Sequence, residues 1–228
     1  MIFLMNLLKL NSVIVFIILL FAGCNHPYCL IEPKEKILNL KPGAEGKDAA
    51  TSIFGGIYFG NDPFLTGYYV NKNRQIYIDI SYIDFDMSGI PEGAKINKAI
   101  LTLYADTTAP GFNNFTSEEK NNPNLFAIQA VTQSWKEDSL DQDDRLLSSG
   151  EHRTDFPSNN PDYSCNIDIT RLVQKQYQKP QYYFGFLIFM KRDYFEMLPE
   201  EKMKNMRYCS SDHPNQDLHP ELAISYEK

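Results

Sequence analysis

The sequence predicts an all-β chain of the sandwich or barrel type with one or two short helical insertions, and three observations predict it. Strand-like runs recur from about Asp48 onward: "TSIFGGIYF", "RQIYIDISYIDFDM", "KAILTLYAD", "LFAIQAVTQSW", "YSCNIDIT", "YYFGFLIFMKR" and "ELAISY". Clusters of Gly, Pro, Asn and Asp separate them, which is how short antiparallel strands are punctuated. No alternating βαβ series and no internal repeat interrupts the pattern.

The amino terminus reads as a targeting segment. "MIFLMNLLKL" carries one charge, Lys9, and leads into ten apolar residues from Val13 to Ala22. That run is short of the roughly 20 residues a membrane span needs, and a basic start, an apolar run and small residues before a cut describe a secretory signal. Phe21-Ala22-Gly23-Cys24 resembles the bacterial lipobox, in which the cysteine is lipidated and becomes the first residue. Residues 1–23 are therefore expected to be a lipoprotein signal peptide and Cys24 the lipidation site. The expected location is the bacterial cell envelope, at the outer membrane, with the lipid anchor as membrane partner. Each buried CH₂ of an acyl chain contributes about 0.8 kcal/mol, so more than one chain anchors stably.

Loss of residues 1–23 removes one positive charge and no acid, taking the formal charge from −7 to −8. An acidic chain without a basic stripe argues against nucleic acid as a partner and against electrostatic docking on a lipid surface. With Cys24 lipidated, Cys29, Cys165 and Cys209 are left, and an odd number allows at most one disulfide. Cys165 with Cys209 is the preferred pair, because both lie in the folded region. No CxxC is present, so zinc or thioredoxin-like chemistry draws no support from the sequence.

Residues 24–44, polar and interrupted by Pro, read as a tether, and residues 45–228 as a single domain. In "QIYIDISYIDFDM" the apolar residues Ile76, Ile78, Ile80 and Tyr82 share one parity, and Ile83, Phe85 and Met87 share the other. A side-chain period of two then demands a β-bulge near Tyr82–Ile83 or a strand covered on both faces. Pro91-Glu92-Gly93 supplies a turn with Pro at its second position, after which "INKAILTLYAD" returns antiparallel. Asp84 and Asp86 share one strand face, about 6–7 Å apart at Cα. Such a pair could serve a glycosidase, but alternating acids on a strand are more often solvated or bound to loop backbone. Two helices are expected. One is "DITRLVQKQYQKP", N-capped by Thr170, with Leu172, Val173 and Tyr177 on its apolar face and Pro180 at its end. The other is "MLPEEKMKNM", with Pro199 in the first turn, acids early and lysines late.

The stretch "IDFDMSGIPEGAKINKAILTLYAD" resembles the central signature of the DNRLRE family. Later segments follow in that family's order: "AIQAVTQSWKEDSL" around Trp135 and Glu137, "CNIDITRLVQKQY" around Asp168, Thr170 and Val173, "YFGFLI", and "CSSDHPNQDLHPELAISY" around Ser210, Ser211, Pro220, Leu222 and Tyr226. The resemblance covers about residues 45–226. It implies a jelly-roll-like antiparallel β-sandwich in a secreted or surface protein, some relatives acting as carbohydrate-binding modules for acidic polysaccharide. It also makes Asp84 and Asp86 part of a fold signature. "FNNFTSEEKNNPNLF" and "KRDYFEMLPEEKMKNMR" are longer than the family's usual turns, and "LDQDDRLLSSG" lacks its second tryptophan.

The chain has no GxSxG, HExxH, P-loop or dinucleotide fingerprint, so no catalytic residues are assigned and the chain is read as no enzyme. Of the four histidines, His26 lies in the tether; Ser211, Asp212 and His213 contain the residue types of a triad, but sequence neighbours rarely meet as one. No cofactor is expected beyond a structural Ca²⁺, for which Asp141, Asp143 and Asp144 cluster hard oxygen ligands without the EF-hand Gly and Glu. Fifteen Phe and 14 Tyr form an aromatic surplus. Rings on loops stack against sugar faces, with Asn or Asp beside them to bind hydroxyls. Tyr68, Tyr69, Phe112 and Tyr183 are the candidates for this, whereas Trp135 is read as core. Lys191, Arg192, Lys202, Lys204 and Arg207 offer charge to an acidic glycan. The expected function is non-catalytic polysaccharide binding by a lipid-anchored surface protein. The alternative is a structural or adhesive protein that uses the same fold to bind surface proteins.

Overall fold

In the computed structural model the described residues are 34–43, 46–53, 56–58, 64–70, 76–106, 124–140, 146–158, 164–191 and 203–228. Their strands are β1 (Lys36–Leu40), β2 (Gly46–Ile53), β3 (Gly56–Tyr58), β4 (Phe64–Val70), β5 (Ile76–Phe85) and β6 (Lys95–Leu103), followed by β7 (Asn124–Val131), β8 (Ser148–Ser158), β9 (Cys165–Asp168), β10 (Phe186–Met190), β11 (Met203–Tyr208) and β12 (Glu221–Glu227). One α-helix, α1 (Thr170–Gln178), interrupts them. A four-stranded sheet has the order β1-β12-β6-β9. An eight-stranded sheet has the order β11-β4-β5-β10-β7-β8, with β2 on β5 and β3 on β2. All pairings are antiparallel. The chain is an all-β sandwich, as the strand pattern predicts, and its compact unit runs Glu35–Lys228.

Alternation along each strand builds the core between the sheets. Ile96, Leu101, Ile167, Leu222 and Ile224 from one sheet meet Ile83, Phe126, Ile128, Phe186 and Ile188 from the other. A second cluster lies on the opposite face of the eight-stranded sheet, where Ile80, Tyr82, Val131, Trp135 and Leu187 pack together. The parity switch in β5 is thereby explained. Its register with β2 runs unbroken from Gly46↔Phe85 to Ile53↔Ile78, so no bulge occurs; Ile83 and Phe85 face the inter-sheet core, while Ile80 and Tyr82 face the second cluster. The strand is covered on both faces.

Four local expectations are corrected. Residues 36–40, read as tether, pair with β12 as an edge strand, with Leu40 buried. Met203–Met206, read as the end of a helix, belong to β11, because pairing with β4 overrides the local helical signal. Pro91 is the first residue of its turn, closed by the Ala94 N–H donating to the Pro91 carbonyl at 3.0 Å, and Gly93 takes the φ of +76° that the third position requires. Thr170 begins α1 instead of capping it. Its N–H and hydroxyl donate to Asp168 Oδ1 at 3.0 and 2.6 Å, and its Oγ1 accepts the Ala99 N–H at 2.9 Å. The signal segment 1–23, the tether residues 24–33 and residues 197–202 of the second expected helix lie outside the described residues.

Candidate functional site

A cleft of about 1030 Å³ opens beside the end of β5. One wall is Phe85, Asp86 and the 3₁₀ turn Met87–Gly89; the other is the carboxyl end of α1 and the segment up to Phe184. The sequence makes these walls rigid. Asp86 Oδ1 accepts the Ser88 N–H at 2.9 Å and caps the 3₁₀ turn, which holds its carboxyl below the usual range. The Tyr177 hydroxyl donates to the Pro91 carbonyl at 2.6 Å and accepts the Ala94 N–H at 3.1 Å, locking the helix to the turn.

Asp84 lies deeper. Its Oδ1 accepts from Gln176 Nε2 and from the Phe85 N–H, both at 3.0 Å, and Lys47 Nζ stands 3.7 Å from its Oδ2. Burial nevertheless dominates and raises its pKa, against the Gln176 hydrogen bond and the Lys47 charge. Lys47 has further commitments: it donates to the Trp135 carbonyl at 2.7 Å and sits 4.3 Å above the Trp135 ring centroid. Trp135 in turn donates its indole N–H to the Phe184 carbonyl at 2.8 Å. Trp135 is 5 % exposed, so it is core, as the sequence reading has it, and it fixes the backbone of a cleft residue.

Two glycines let these segments come close. At Gly46 any Cβ would collide with the Asp84 carbonyl, and at Gly185, with φ +87°, with the Ile83 carbonyl.

Of the sequence candidates, Tyr183 lines the cleft, half-buried, with its ring 6.2 Å from that of His152. Tyr68 and Tyr69 lie within β4, between β11 and β5, and not in a loop. Phe112 and the proposed calcium ligands Asp141, Asp143 and Asp144 lie outside the described residues, as do Cys24, Arg192 and Lys202. Lys191 donates to Asp155 at 2.7 Å, so its charge is partnered. Asp84 and Asp86 both line the cleft, each holding backbone or an amide, in keeping with a structural role for the pair. Gln176, Tyr177 and Phe184 were missed as site residues. The signal for Gln176 and Tyr177 is their exit from α1 just before Pro180, but nothing local says which surface they meet.

The Cys165–Cys209 disulfide is not made; both residues are thiols. Cys165 Sγ lies 3.5 Å from the Tyr208 hydroxyl. Cys209, the next residue, follows on the opposite side of the chain. Burial and the Asp106 carboxylate push its thiol up to about 11. No triad forms at "SSDH" either. The Ser211 N–H and hydroxyl donate to buried Asp48 at 2.8 and 2.6 Å, and His213 Nδ1 is within 3.3 Å of backbone atoms of Asn215.

The family model described as carbohydrate-binding module family 96 matches residues 59–224, from just before β4 into β12. Among curated proteins no match to the chain is found.

Proposed function

The chain belongs to carbohydrate-binding module family 96, and from that premise we propose that it binds polysaccharide without catalysis, held at the bacterial outer membrane by lipid on Cys24. The observation that carries the reading is the cleft beside β5, where the rings of Tyr177, Tyr183 and Phe184 share a lining with Asp84, Asp86 and Gln176. Aromatic faces stack on sugar rings, and fixed carboxylate and amide oxygens accept from sugar hydroxyls.

Charge narrows the ligand. The cleft carries Asp84, Asp86 and Glu92 against Lys47, and Lys47 is engaged by Asp84 and Trp135. A neutral, hydroxyl-rich glycan suits that lining better than a uronate chain, whose carboxylates would meet like charge. Asp84 and Asp86 serve as acceptors here, since both also hold the fold.

The test is retention of the detergent-solubilised full chain on an array of neutral and acidic polysaccharides, with and without chelator. Binding to a neutral class that is lost in Tyr183→Ala supports the cleft. Loss in Tyr68→Ala or Tyr69→Ala moves the site toward β4, and chelator sensitivity brings in Ca²⁺. Retention by no glycan sinks the reading in favour of a structural or adhesive role. The anchor is tested separately: Cys24→Ser releases the protein from membranes, and a variant that stays attached overturns that part.

A further inference from the structure

We propose that Asp106, Cys209 and His213 form a zinc site at the end of β6 and β11, unrelated to the glycan cleft. Each residue offers one ligand atom, and these atoms all lie within 4.8 Å of one another.

The backbone brings them together. Just past the end of β6, Ala105 meets Tyr208, the last residue of β11, in an isolated antiparallel bridge that ties the two sheets together. The Asp106 N–H donates to the Arg207 carbonyl at 3.0 Å, and the Cys209 N–H donates to the Tyr104 carbonyl at 2.8 Å. Tyr208 is in the inter-sheet core, so strand alternation places Asp106 and Cys209 together on the opposite face. A turn closed by the His213 N–H on the Ser210 carbonyl, at 3.3 Å, then returns His213 to the same place. No CxxC spacing announces this site, because its ligands come from two distant segments.

The chemistry of the set selects the metal. A thiolate, an imidazole and a carboxylate are a zinc donor set, and sulfur with nitrogen disfavours Ca²⁺ and Mg²⁺. Ligand atoms around one tetrahedral zinc stand about 3.3–3.8 Å apart, so the side chains need to close by no more than about 1.5 Å. His213 Nδ1 accepts the Asn215 N–H at 3.2 Å, so zinc binding through Nε2 would shift the ring proton to Nδ1, where the Asn215 carbonyl stands 3.3 Å away to accept it. Asp106 and Cys209 are buried and His213 is half-exposed, which gives the ion a way in and leaves the fourth position to water. Binding releases the Cys209 thiol proton to solvent, and the divalent charge reverses the local field of Asp106 that opposes ionisation. The bound ion would brace the turn that carries Ser211, and with it the contact to Asp48 on β2.

The experiment strips the full chain with chelator, then titrates it with Co²⁺ as a spectroscopic proxy and with Zn²⁺ as competitor, reading absorbance and Tm. The expected result is a single saturable site with a thiolate-to-cobalt charge-transfer band, bleached by Zn²⁺, and a Tm that Zn²⁺ raises. Cys209→Ser abolishes the band, and His213→Ala weakens affinity by about tenfold or more. His213 is the less buried ligand, so its variant keeps the test decisive where Cys209→Ser does not fold. A variant with Cys24→Ser, Cys29→Ser and Cys165→Ser retains the band. Absence of the band from the parent chain, its persistence with unchanged affinity in His213→Ala, or its loss in the triple variant overturns the proposal. Glycan retention is read on the same samples, so failure here is separable from failure of the cleft.

Discussion

The side-chain amide of Gln176 on α1 donates to Asp84 Oδ1 on β5 at 3.0 Å, across 92 positions of sequence. Gln176 is 6 % exposed, so the bond replaces water for a carboxylate that burial already disfavours. Gln176→Leu removes the donor and keeps the volume. The expected cost is about 1.5–3 kcal/mol, the range for a hydrogen bond to a charged group. Chemical denaturation measures it; a variant as stable as the parent would show that Lys47 alone suffices for Asp84. The Asp84 pKa rises further in this variant, which carbon-detected titration reads directly.

Gly185 carries the second prediction. Its φ of +87° and the closeness of the Ile83 carbonyl and the Asp84 Cβ leave no room for a side chain. Its carbonyl also accepts the Val131 N–H at 2.9 Å, so the backbone cannot simply turn away. Gly185→Ala is expected to destabilise by at least about 2 kcal/mol through backbone conformation and overlap together. Gly150→Ala is the control, since a Cβ there meets nothing within 4 Å, and its loss of stability stays well below that of Gly185→Ala. Equal losses in the two variants would remove the steric explanation.

The third prediction concerns pH. Burial, with Asp48, Asp212 and Asp138 adding and Lys47 opposing, pushes the Glu137 carboxyl from 4.5 up to about 7. The folded pKa lies above the unfolded one, so the folded state holds the proton more tightly. Stability from this group is therefore fully present below pH 4.5 and is lost as pH rises to about 7. Asp48, also raised by burial, acts in the same direction. Glu137→Gln should leave Tm unchanged at the acid end and raise it above neutrality, flattening the slope between. An undiminished slope in the variant would place the effect on other carboxylates.

The fold class was legible because the central strands are two-sided. In β5 both parities are apolar, so even the alternative of cover on both faces could be read from Tyr82 and Ile83. The misses are mostly strands at sheet edges, β1, β8 and β11. Ile37 is 71 % exposed on β1, and "SSGEHRTDFPS" on β8 buries Phe156 among polar residues. An edge strand pairs once and faces water, so its pattern resembles that of a linker. The cleft was legible only in part. Asp84, Asp86 and Tyr183 stand in recognisable stretches, whereas Gln176 becomes a site residue through a register of helix on strand that no local spacing encodes. The failed Cys165–Cys209 pairing has the same origin, since Tyr208 between strand and core decides which way each thiol faces.

The last prediction is for ligand binding. Tyr183 is held edge-on to His152, with ring centroids 6.2 Å apart, and its neighbour Phe184 is fixed by the Trp135 indole, so the ring is presented without much loss of entropy on binding. Tyr183→Ala should weaken binding of the retained glycan by about 1–2 kcal/mol, five- to thirtyfold. Tyr183→Phe should keep most of that affinity, because stacking needs the face of the ring and not its hydroxyl. Both are measured by calorimetry alongside Tm, since Tyr183 also packs against the inter-sheet core and Tyr183→Ala alone could act through folding. Added salt should change the affinity little for a neutral glycan. A strong loss with salt, or a gain in Glu92→Gln on an acidic glycan, would mean that charge rather than ring stacking governs the cleft.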